Sequence, residues 1–255
     1  MPSNETTNTK FILLPFTSSL YIHYGLVFII LLMYILTLTG NLLIKEVTKM
    51  DSHLHTPMYF LVNLSIFDIF YSSLVALKLV QILLAKDKTI SFSGCLTQMG
   101  ATYFIDPSEA FILSSMAYDH YSAICNPLVY LIVMSKLFCV FLACGSYIHG
   151  VINSLLNTLP LLRLHFCGSH LIEHCSCELP VLLPLSCTDL FLNKMIFFMT
   201  MVLIGFGCFP PILFSYSRII SAILKITSAS GRSKAFSTCS SHVIVVILFF
   251  VTGVG

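Results

Sequence analysis

The chain contains the segment Met116-Ala117-Tyr118-Asp119-His120-Tyr121-Ser122-Ala123-Ile124-Cys125-Asn126-Pro127-Leu128. A long apolar run, from about 96 to 118, comes directly before the polar cluster of Asp119, His120 and Tyr121. A helix needs about 20 mostly apolar residues to cross the hydrocarbon core of a bilayer. The segment therefore marks the end of a predicted membrane-spanning helix.

The composition of the chain agrees with this interpretation. Of its 255 residues, 57% are hydrophobic and 9% are charged, and the mean hydropathy is +0.93. A soluble domain carries about 25% charged residues, so this chain has too little polar surface to cover a soluble globule. The net charge of +2 gives no indication of a nucleic-acid partner. The composition predicts a membrane protein.

Six apolar segments are long enough to cross a membrane. They cover residues 24–44, 58–79, 96–118, 137–162, 195–216 and 235–255, approximately. Backbone polar groups in lipid need internal partners, so only helices and closed barrels span it, and these segments are too long and too uniformly apolar for barrel strands. The predicted fold is an all-α membrane protein with six spans.

Two features orient the predicted helices, because Lys and Arg are divided almost evenly between the two sides. The first feature is the glycosylation sequon at Asn4, which requires a lumenal N-terminus. The second is a group of cysteines in the long segment 163–194, with Cys95 at the start of the third span. Because disulfides form on the oxidising side of a membrane, both features predict that residues 1–23 are extracellular.

Acidic side chains inside the predicted spans are candidate functional residues, because a carboxylate in lipid is costly. Asp68 lies in the second span and Glu109 in the third. The alternative for each is a protonated, hydrogen-bonded carboxyl with a structural role. Asp106 precedes Pro107 inside the third span, where proline removes a helix hydrogen bond and kinks the helix, at about 3 kcal/mol.

The segment that ends the third span resembles the M-A-Y-D-R-Y-x-A-I-C-x-P-L motif of olfactory receptors. Four further segments resemble motifs of this family, in the same order and spacing. They are Gly40-Asn41, Asp51-Ser52-His53-Leu54-His55-Thr56-Pro57-Met58-Tyr59-Phe60-Leu61, Leu64-Ser65-Ile66-Phe67-Asp68, and Ser228-Ala229-Ser230-Gly231-Arg232-Ser233-Lys234-Ala235-Phe236-Ser237-Thr238-Cys239-Ser240-Ser241-His242. The long loop with three cysteines spaced ten apart is also similar. The resemblance covers residues 11–253, approximately.

The resemblance implies a seven-transmembrane-type, rhodopsin-like receptor that senses small volatile odorants and signals through a stimulatory olfactory-type G protein from the plasma membrane. It implies no enzyme activity and no cofactor. By resemblance, Thr102, Tyr103 and Asp106 face the odorant pocket, Asp68 and Glu109 form a buried cation or proton site, and Asp119, His120, Tyr121 and Lys234 serve G-protein coupling. Asp106 would either select amines in that pocket or disturb the fold.

Disulfide pairing is also implied by the resemblance. Cys95 would bond to Cys177, leaving Cys167 with Cys187, while Cys95 with Cys187 is the alternative pairing and Cys175 is an extra thiol. The loop also fits an H-x-x-C-[D/E] pattern that is linked to copper binding in some olfactory receptors. A disulfide-bonded Cys177 cannot ligate copper, so no metal site is predicted.

Two departures from the family pattern affect the predicted function. His120 occupies the position of the family's arginine, which pairs with the preceding aspartate and contacts the G protein. Histidine is near neutral at pH 7 and reaches less far than arginine, so we expect weak coupling.

The sequence ends inside the sixth span, without the family's seventh helix. The alternative prediction is therefore a truncated, non-signalling receptor remnant, held in the endoplasmic reticulum.

Other functional classes fit the sequence less well. A channel or transporter would show repeats between the halves of the chain or polar residues aligned along several spans. An enzyme would need a constellation of nucleophile, base or metal ligands, and the sequence shows none. Of these classes, only a receptor accounts for all of the motifs above.

Overall fold

A computed structural model describes residues 10–13, 20–50, 55–84, 89–167, 171–172, 177–225 and 228–254. Most of these residues are helical. The helices are α1 (Leu20–Met50), α2 (His55–Leu84), α3 (Phe92–Cys125), α4 (Tyr130–Val133), α5 (Lys136–Thr158), α6 (Leu179–Leu182), α7 (Phe191–Leu224) and α8 (Ala229–Val254). Short 3-10 turns follow α5 at Leu159–Arg163 and α6 at Leu183–Leu185.

Each of the six predicted apolar segments overlaps a helix. Most of these helices extend beyond the segment, whereas the segment 137–162 continues past the end of α5 into the 3-10 turn at Leu159–Arg163. Helix α7, for example, covers 34 residues, whereas the predicted span covers 195–216. The difference arises because Lys194 and Arg218 interrupt the apolar run, whereas the residues beyond them include no Gly or Pro and continue the helix. The helices therefore do not share the bounds of the apolar segments, and which of them cross a membrane stays a prediction.

Five helical segments are long and apolar enough to cross a membrane. These are Tyr21–Met50, Tyr59–Leu84, Lys136–Arg163, Phe191–Leu224 and Ala229–Val251. Helix α3, which carries Asp106 and Glu109 in its interior, is not among them. The chain is thus mostly helical with several membrane-span-like helices, while a sixth crossing through α3 stays a prediction.

The all-helical prediction is incomplete, because three short strands form a sheet in the order β2-β1-β3. Strand β1 (Lys10–Leu13) pairs antiparallel with β2 (Thr89–Ser91), with Phe11 opposite Ile90. It also pairs in parallel with β3 (Leu171–Ile172), with Ile12 opposite Leu171. These strands are too short for a hydrophobic period to reveal them, and their partners are far apart in the sequence.

The chain divides into two compact units. The first unit comprises Met1–Leu43, Ser65–Ile105 and Val151–Met199, and the second comprises Ile44–Leu64, Asp106–Gly150 and Thr200–Gly255. Phe11, Cys95, Met99 and Leu161 are among the buried residues that form the core of the first unit. The core of the second unit includes Leu113, Ala117, Ile212, Tyr216 and Ile219.

Large apolar side chains cover much of the helix surfaces. In α1, only 6% of the most apolar window is buried, and Phe28 is 68% exposed. In α7, Phe206 is 78% exposed. Exposed apolar surface of this extent is expected where lipid is the solvent, in agreement with a multi-pass membrane protein.

Candidate functional site

Two disulfides hold the loop before α7: one attaches it to the start of α3, and the other closes a ring within the loop. Cys95, at the start of α3, is bonded to Cys177, and their Cα atoms are 5.4 Å apart. Cys167 is bonded to Cys187, with a Cα separation of 5.8 Å. This is the pairing that the family resemblance implies, and not the alternative of Cys95 with Cys187. Cys175 and His174 lie outside the described residues.

The same region of α3 is joined to α5 by side-chain hydrogen bonds to backbone carbonyls. Asn153 Nδ2 donates to the carbonyl of Tyr103 at 2.7 Å, and Ser154 Oγ donates to the carbonyl of Gly100 at 2.7 Å. The Tyr103 carbonyl lies four residues before Pro107, whose missing N–H cannot pair with it. Asn153 therefore provides the donor that the proline removes, and α3 continues through Pro107.

The residues predicted to contact odorant are on two successive turns of α3. Thr102 and Tyr103 are half-buried, whereas Asp106 is exposed. The Thr102 hydroxyl donates to the carbonyl of Gln98 at 3.2 Å. The Tyr103 ring lies edge-on to Phe197 of α7, with ring centroids 6.3 Å apart. Sequence reasoning did not single out Phe197, because it is one of many phenylalanines on an apolar helix.

The two acidic residues of the predicted cation or proton site fall in different units. Asp68, on α2, receives a hydrogen bond from the side chain of Asn41 on α1. Asn41 itself is buried, and it also donates to the carbonyl of Thr37 at 3.0 Å. Glu109, on α3, is half-buried. Asp68 thus has a polar partner that the Gly40-Asn41 motif supplies.

In the second unit, Asp119 is bonded to a residue outside its own helix. The Tyr130 hydroxyl, on α4, donates to Asp119 Oδ1 at 2.9 Å, and Asp119 is 3% exposed. Asp119 follows the predicted third span, which ends at Tyr118. Burial raises the pKa of the Asp119 carboxyl to about 6, and the hydrogen bond from Tyr130 opposes that rise. The partner of Asp119 is therefore a tyrosine of the following loop.

His120 packs against a second histidine in the same unit. Its ring lies edge-on to that of His242 on α8, with ring centroids 5.2 Å apart. His242 in turn has its Nδ1 atom 2.5 Å from the Tyr216 hydroxyl of α7, which is a hydrogen-bond distance. Burial lowers the pKa of His120, which favours the neutral imidazole. Helices α3, α8 and α7 thus meet through the aromatic side chains of His120, His242 and Tyr216. The family motif would place an arginine at the first of these positions.

The remaining predicted coupling residues are only partly described. The Tyr121 ring contacts Phe214 of α7, with ring centroids 6.1 Å apart. Lys234 lies in α8, but its side chain is outside the described part of the structure, as is Asn4. Tyr130, His242 and Tyr216 were not assigned contacts from the sequence. His242 does belong to the motif at the start of α8, which was the available signal for it.

An open cavity of about 400 Å³ lies beside Tyr121 in the second unit. Its lining includes Arg218 in the last turns of α7 and Lys225 directly after that helix, together with Cys125, the last residue of α3, and Asn126. The two cations give this cavity a positive character. Within the described residues, no three His, Cys, Asp or Glu side chains are grouped closely enough to hold a metal ion.

Comparison with known proteins agrees with these features. A family model described as olfactory receptor matches residues 30–255. Olfactory receptor 5A2 of Homo sapiens is 43% identical over 251 residues, covering 98% of this chain and 78% of the relative. Olfactory receptor 1G1 of Gorilla gorilla gorilla is 46% identical over 250 residues, covering 98% of this chain and 80% of the relative. The chain belongs to the olfactory receptor family.

Proposed function

We propose that the protein is an odorant receptor that binds a small volatile ligand and signals through a stimulatory, olfactory-type G protein. The observation that carries this proposal is the identity of 43–46% with proteins named olfactory receptors, over 98% of the chain. Receptors of this family are not enzymes. We place the protein in the plasma membrane, with its N-terminus outside and α3 as a sixth crossing.

The ligand side of the proposal rests on the first unit. Tyr103 and Phe197 offer an aromatic contact between α3 and α7, and both are packed against a buried apolar core. Small volatile molecules are mostly apolar, so such a contact would bind them by surface burial, at about 25 cal/mol per Å². Thr102, on the same stretch of α3, would supply a polar contact that distinguishes one odorant from another. Asp106 falls in the second unit.

The coupling side rests on the second unit. The positively charged cavity with Arg218 and Lys225 would receive an acidic or carboxyl-terminal segment of a G protein. Asp119, Tyr121 and Lys234 would flank this contact. We propose that Asp68, which is hydrogen-bonded to Asn41 within the first unit, binds a cation or a proton and thereby alters the balance between resting and signalling states, because an ionisable residue inside a membrane is a candidate functional residue. Glu109, in the second unit, is a separate candidate of the same kind.

His120 is expected to weaken coupling. A neutral imidazole packed on His242 cannot form the forked, always charged contacts of an arginine. The described contacts do not favour the alternative, a non-signalling receptor remnant, over a receptor that couples weakly.

The experiment measures cyclic AMP in cells that express the chain with an olfactory-type G protein during exposure to a panel of volatile odorants. The variants are His120→Arg, the uncharged control His120→Gln, and Tyr103→Ala. We expect a concentration-dependent response that is larger in His120→Arg, unchanged or smaller in His120→Gln, and lost in Tyr103→Ala. A His120→Arg response no larger than that of His120→Gln would contradict the role of this position, and silence of all variants despite membrane insertion would contradict the function.

A further inference from the structure

Two cations line the open cavity beside Tyr121 in the second unit, and neither is paired with a described carboxylate. They are Arg218 and Lys225, and both side chains are exposed, so a ligand can reach them. None of the described lining residues is acidic. Two like charges in one cavity repel each other, and a bound anion relieves that repulsion. The charge of the cavity therefore favours an anionic ligand.

The end of α7 accounts for one of these cations but not for the other. Lys225 directly follows the helix, where a positive charge offsets the partial negative charge of the helix terminus. Arg218 lies more than one turn before that end, and the effect of the terminus falls off within the last turn. Its guanidinium is placed over the ring of Phe214 instead, with Cζ 5.9 Å from the ring centroid. Arg218 is thus held at the wall of the cavity by an aromatic contact.

The end of α3 also lines the cavity. Tyr121 packs on the Phe214 ring, and Asn126 follows Cys125, the last residue of the helix. The charge of Arg218 reaches this end of α3, because it opposes the rise in pKa that burial causes in the Cys125 thiol. The exposed Asn126 amide adds two neutral N–H donors. Two elements therefore offer charged and neutral donors to one anion.

The depth of the cavity matches the headgroup layer of a bilayer. The predicted third and fifth spans end near residues 118 and 216, and the lining residues follow at 121–126 and 218–225. At a rise of about 1.5 Å per helical residue, the lining begins about 3–5 Å beyond the hydrocarbon core. The headgroup layer of each leaflet is about 5–8 Å thick. A lipid phosphate at this depth can enter the cavity while its acyl chains stay in the core.

The segment that follows α3 is an independent indication of lipid. It lies between two predicted spans, yet Leu128 is 97% exposed, Leu131 is 80% exposed and Ile132 is 77% exposed. Tyr130 of the same segment donates to the buried Asp119 instead. Exposed apolar side chains gain free energy where apolar material covers them, and acyl chains lie next to the headgroup layer. The surroundings of the cavity therefore suit a lipid better than a soluble anion.

The spacing of the two cations favours a ligand with more than one phosphate. Arg218 and Lys225 are two helical turns apart in the sequence, which corresponds to a rise of about 10 Å on one face. A phosphate diester carries a single negative charge and contacts one of them. An inositol ring with two phosphate monoesters, each of about −1.5 to −2 charge, contacts both.

We propose that this cavity binds the headgroup of a bisphosphorylated inositol lipid from the surrounding membrane. One ring phosphate contacts Arg218 and the other contacts Lys225, while the acyl chains lie along the apolar segment that follows α3. The site overlaps the contact proposed above for a G protein. Binding of the lipid itself does not require signalling, so the proposal stands or falls separately from the proposed function.

The test is native mass spectrometry of the purified full chain in detergent, which counts bound lipids by mass. The probes are phosphatidylinositol 4,5-bisphosphate, phosphatidylinositol with the same acyl chains, and soluble inositol 1,4,5-trisphosphate, which has no acyl chains. The variants are Arg218→Gln, Arg218→Lys and Lys225→Gln. The control is Lys136→Gln, which removes an exposed cation of the same unit outside the cavity. Circular dichroism at 222 nm verifies that each variant is folded.

We expect saturable binding of one bisphosphate lipid to the parent and to Lys136→Gln. Arg218→Gln and Lys225→Gln should each weaken it about fivefold or more, and Arg218→Lys by less, because the charge is kept. Phosphatidylinositol and the soluble trisphosphate should also bind about fivefold more weakly or less.

Absence of binding to the parent, or equal binding to both glutamine variants, would overturn the site. An equal loss in Lys136→Gln would show that affinity follows the net charge and not the cavity. Equal affinity for phosphatidylinositol would overturn the role of the ring phosphates. Equal affinity for the soluble trisphosphate would show that the ligand is a free phosphate compound and not a lipid.

Discussion

The first unit contains two disulfides and a three-stranded sheet, whereas the described residues of the second unit contain five free cysteines and neither of those features. The free cysteines are Cys125, Cys139, Cys144, Cys208 and Cys239. Disulfides persist in oxidising compartments and thiols in reducing ones. The disulfides of the first unit support the proposed topology, in which the loop before α7 lies outside the cell.

The difference also concerns how far each unit can rearrange. Covalent bonds fix the loop of the first unit, next to the residues proposed to contact odorant. In the second unit, elements are joined by single hydrogen bonds, such as Tyr130 to Asp119 and Tyr147 to Asn63 at 2.8 Å. Each such bond contributes about 1 kcal/mol net, so one can be exchanged for another at little cost. Under the proposed function, the first unit would hold the ligand and the second would exchange contacts during coupling.

The largest expected effect comes from removing a disulfide of the first unit. Cys95→Ser should lower the free energy of unfolding by about 2–5 kcal/mol, because the unfolded chain loses a cross-link. The matched control is Cys144→Ser, which changes an exposed free thiol of the second unit and should have little effect. Thermal unfolding of the detergent-solubilised protein, followed by circular dichroism at 222 nm, measures both. Equal loss of stability in the two variants would contradict the contrast between the units.

A smaller effect concerns the protonation of Asp119, which should contribute at most about 3 kcal/mol to the free energy of unfolding and should depend on pH. Its pKa rises from the usual 3.8 to about 6 on folding, so the folded state holds the proton more tightly than the unfolded state. The stabilisation from protonation is therefore fully present below about pH 4 and is lost as the pH rises to about 6.

The comparison that isolates this effect is between the parent and Asp119→Asn. The difference in melting temperature between them should change between pH 4.5 and 6.5 and remain constant above. Tyr130→Phe removes the hydrogen bond that lowers this pKa, so the transition should move to a higher pH. If the parent and Asp119→Asn responded identically to pH, the buried carboxyl would not be the titrating group.

The smallest expected effect concerns the bond between Asn153 and the Tyr103 carbonyl in the first unit. Asn153→Ala should cost about 1–2 kcal/mol, because it removes the hydrogen bond that Asn153 donates to that carbonyl. In a Pro107→Ala background the restored amide can bond to the carbonyl, so the same change should cost less. Thermal unfolding of the parent, the single variants and the double variant measures the coupling energy. An additive result would mean that Asn153 does not compensate for the proline.

The helices could be predicted because hydrophobicity over about 20 residues is a local property of the sequence. The sheet could not, because Phe11 pairs with Ile90, far away in the chain. The same reason applies to the sites. The cysteines and Asp119 belong to recognisable motifs, but the partner of Asp119 is Tyr130, whose place follows from how the loop packs. Likewise, the contact of His120 with His242 depends on the packing of α3 with α8.

The proposed topology can be tested on Cys125, which lines the cavity proposed for G-protein contact. Sealed microsomes expose their cytoplasmic face, so the measurement is the labelling of this thiol by a membrane-impermeant maleimide, with Cys125→Ser as the background. The proposed orientation predicts labelling of intact microsomes to the same extent as after detergent treatment. Labelling that appears only after detergent treatment would place the second unit on the lumenal side and would contradict the account.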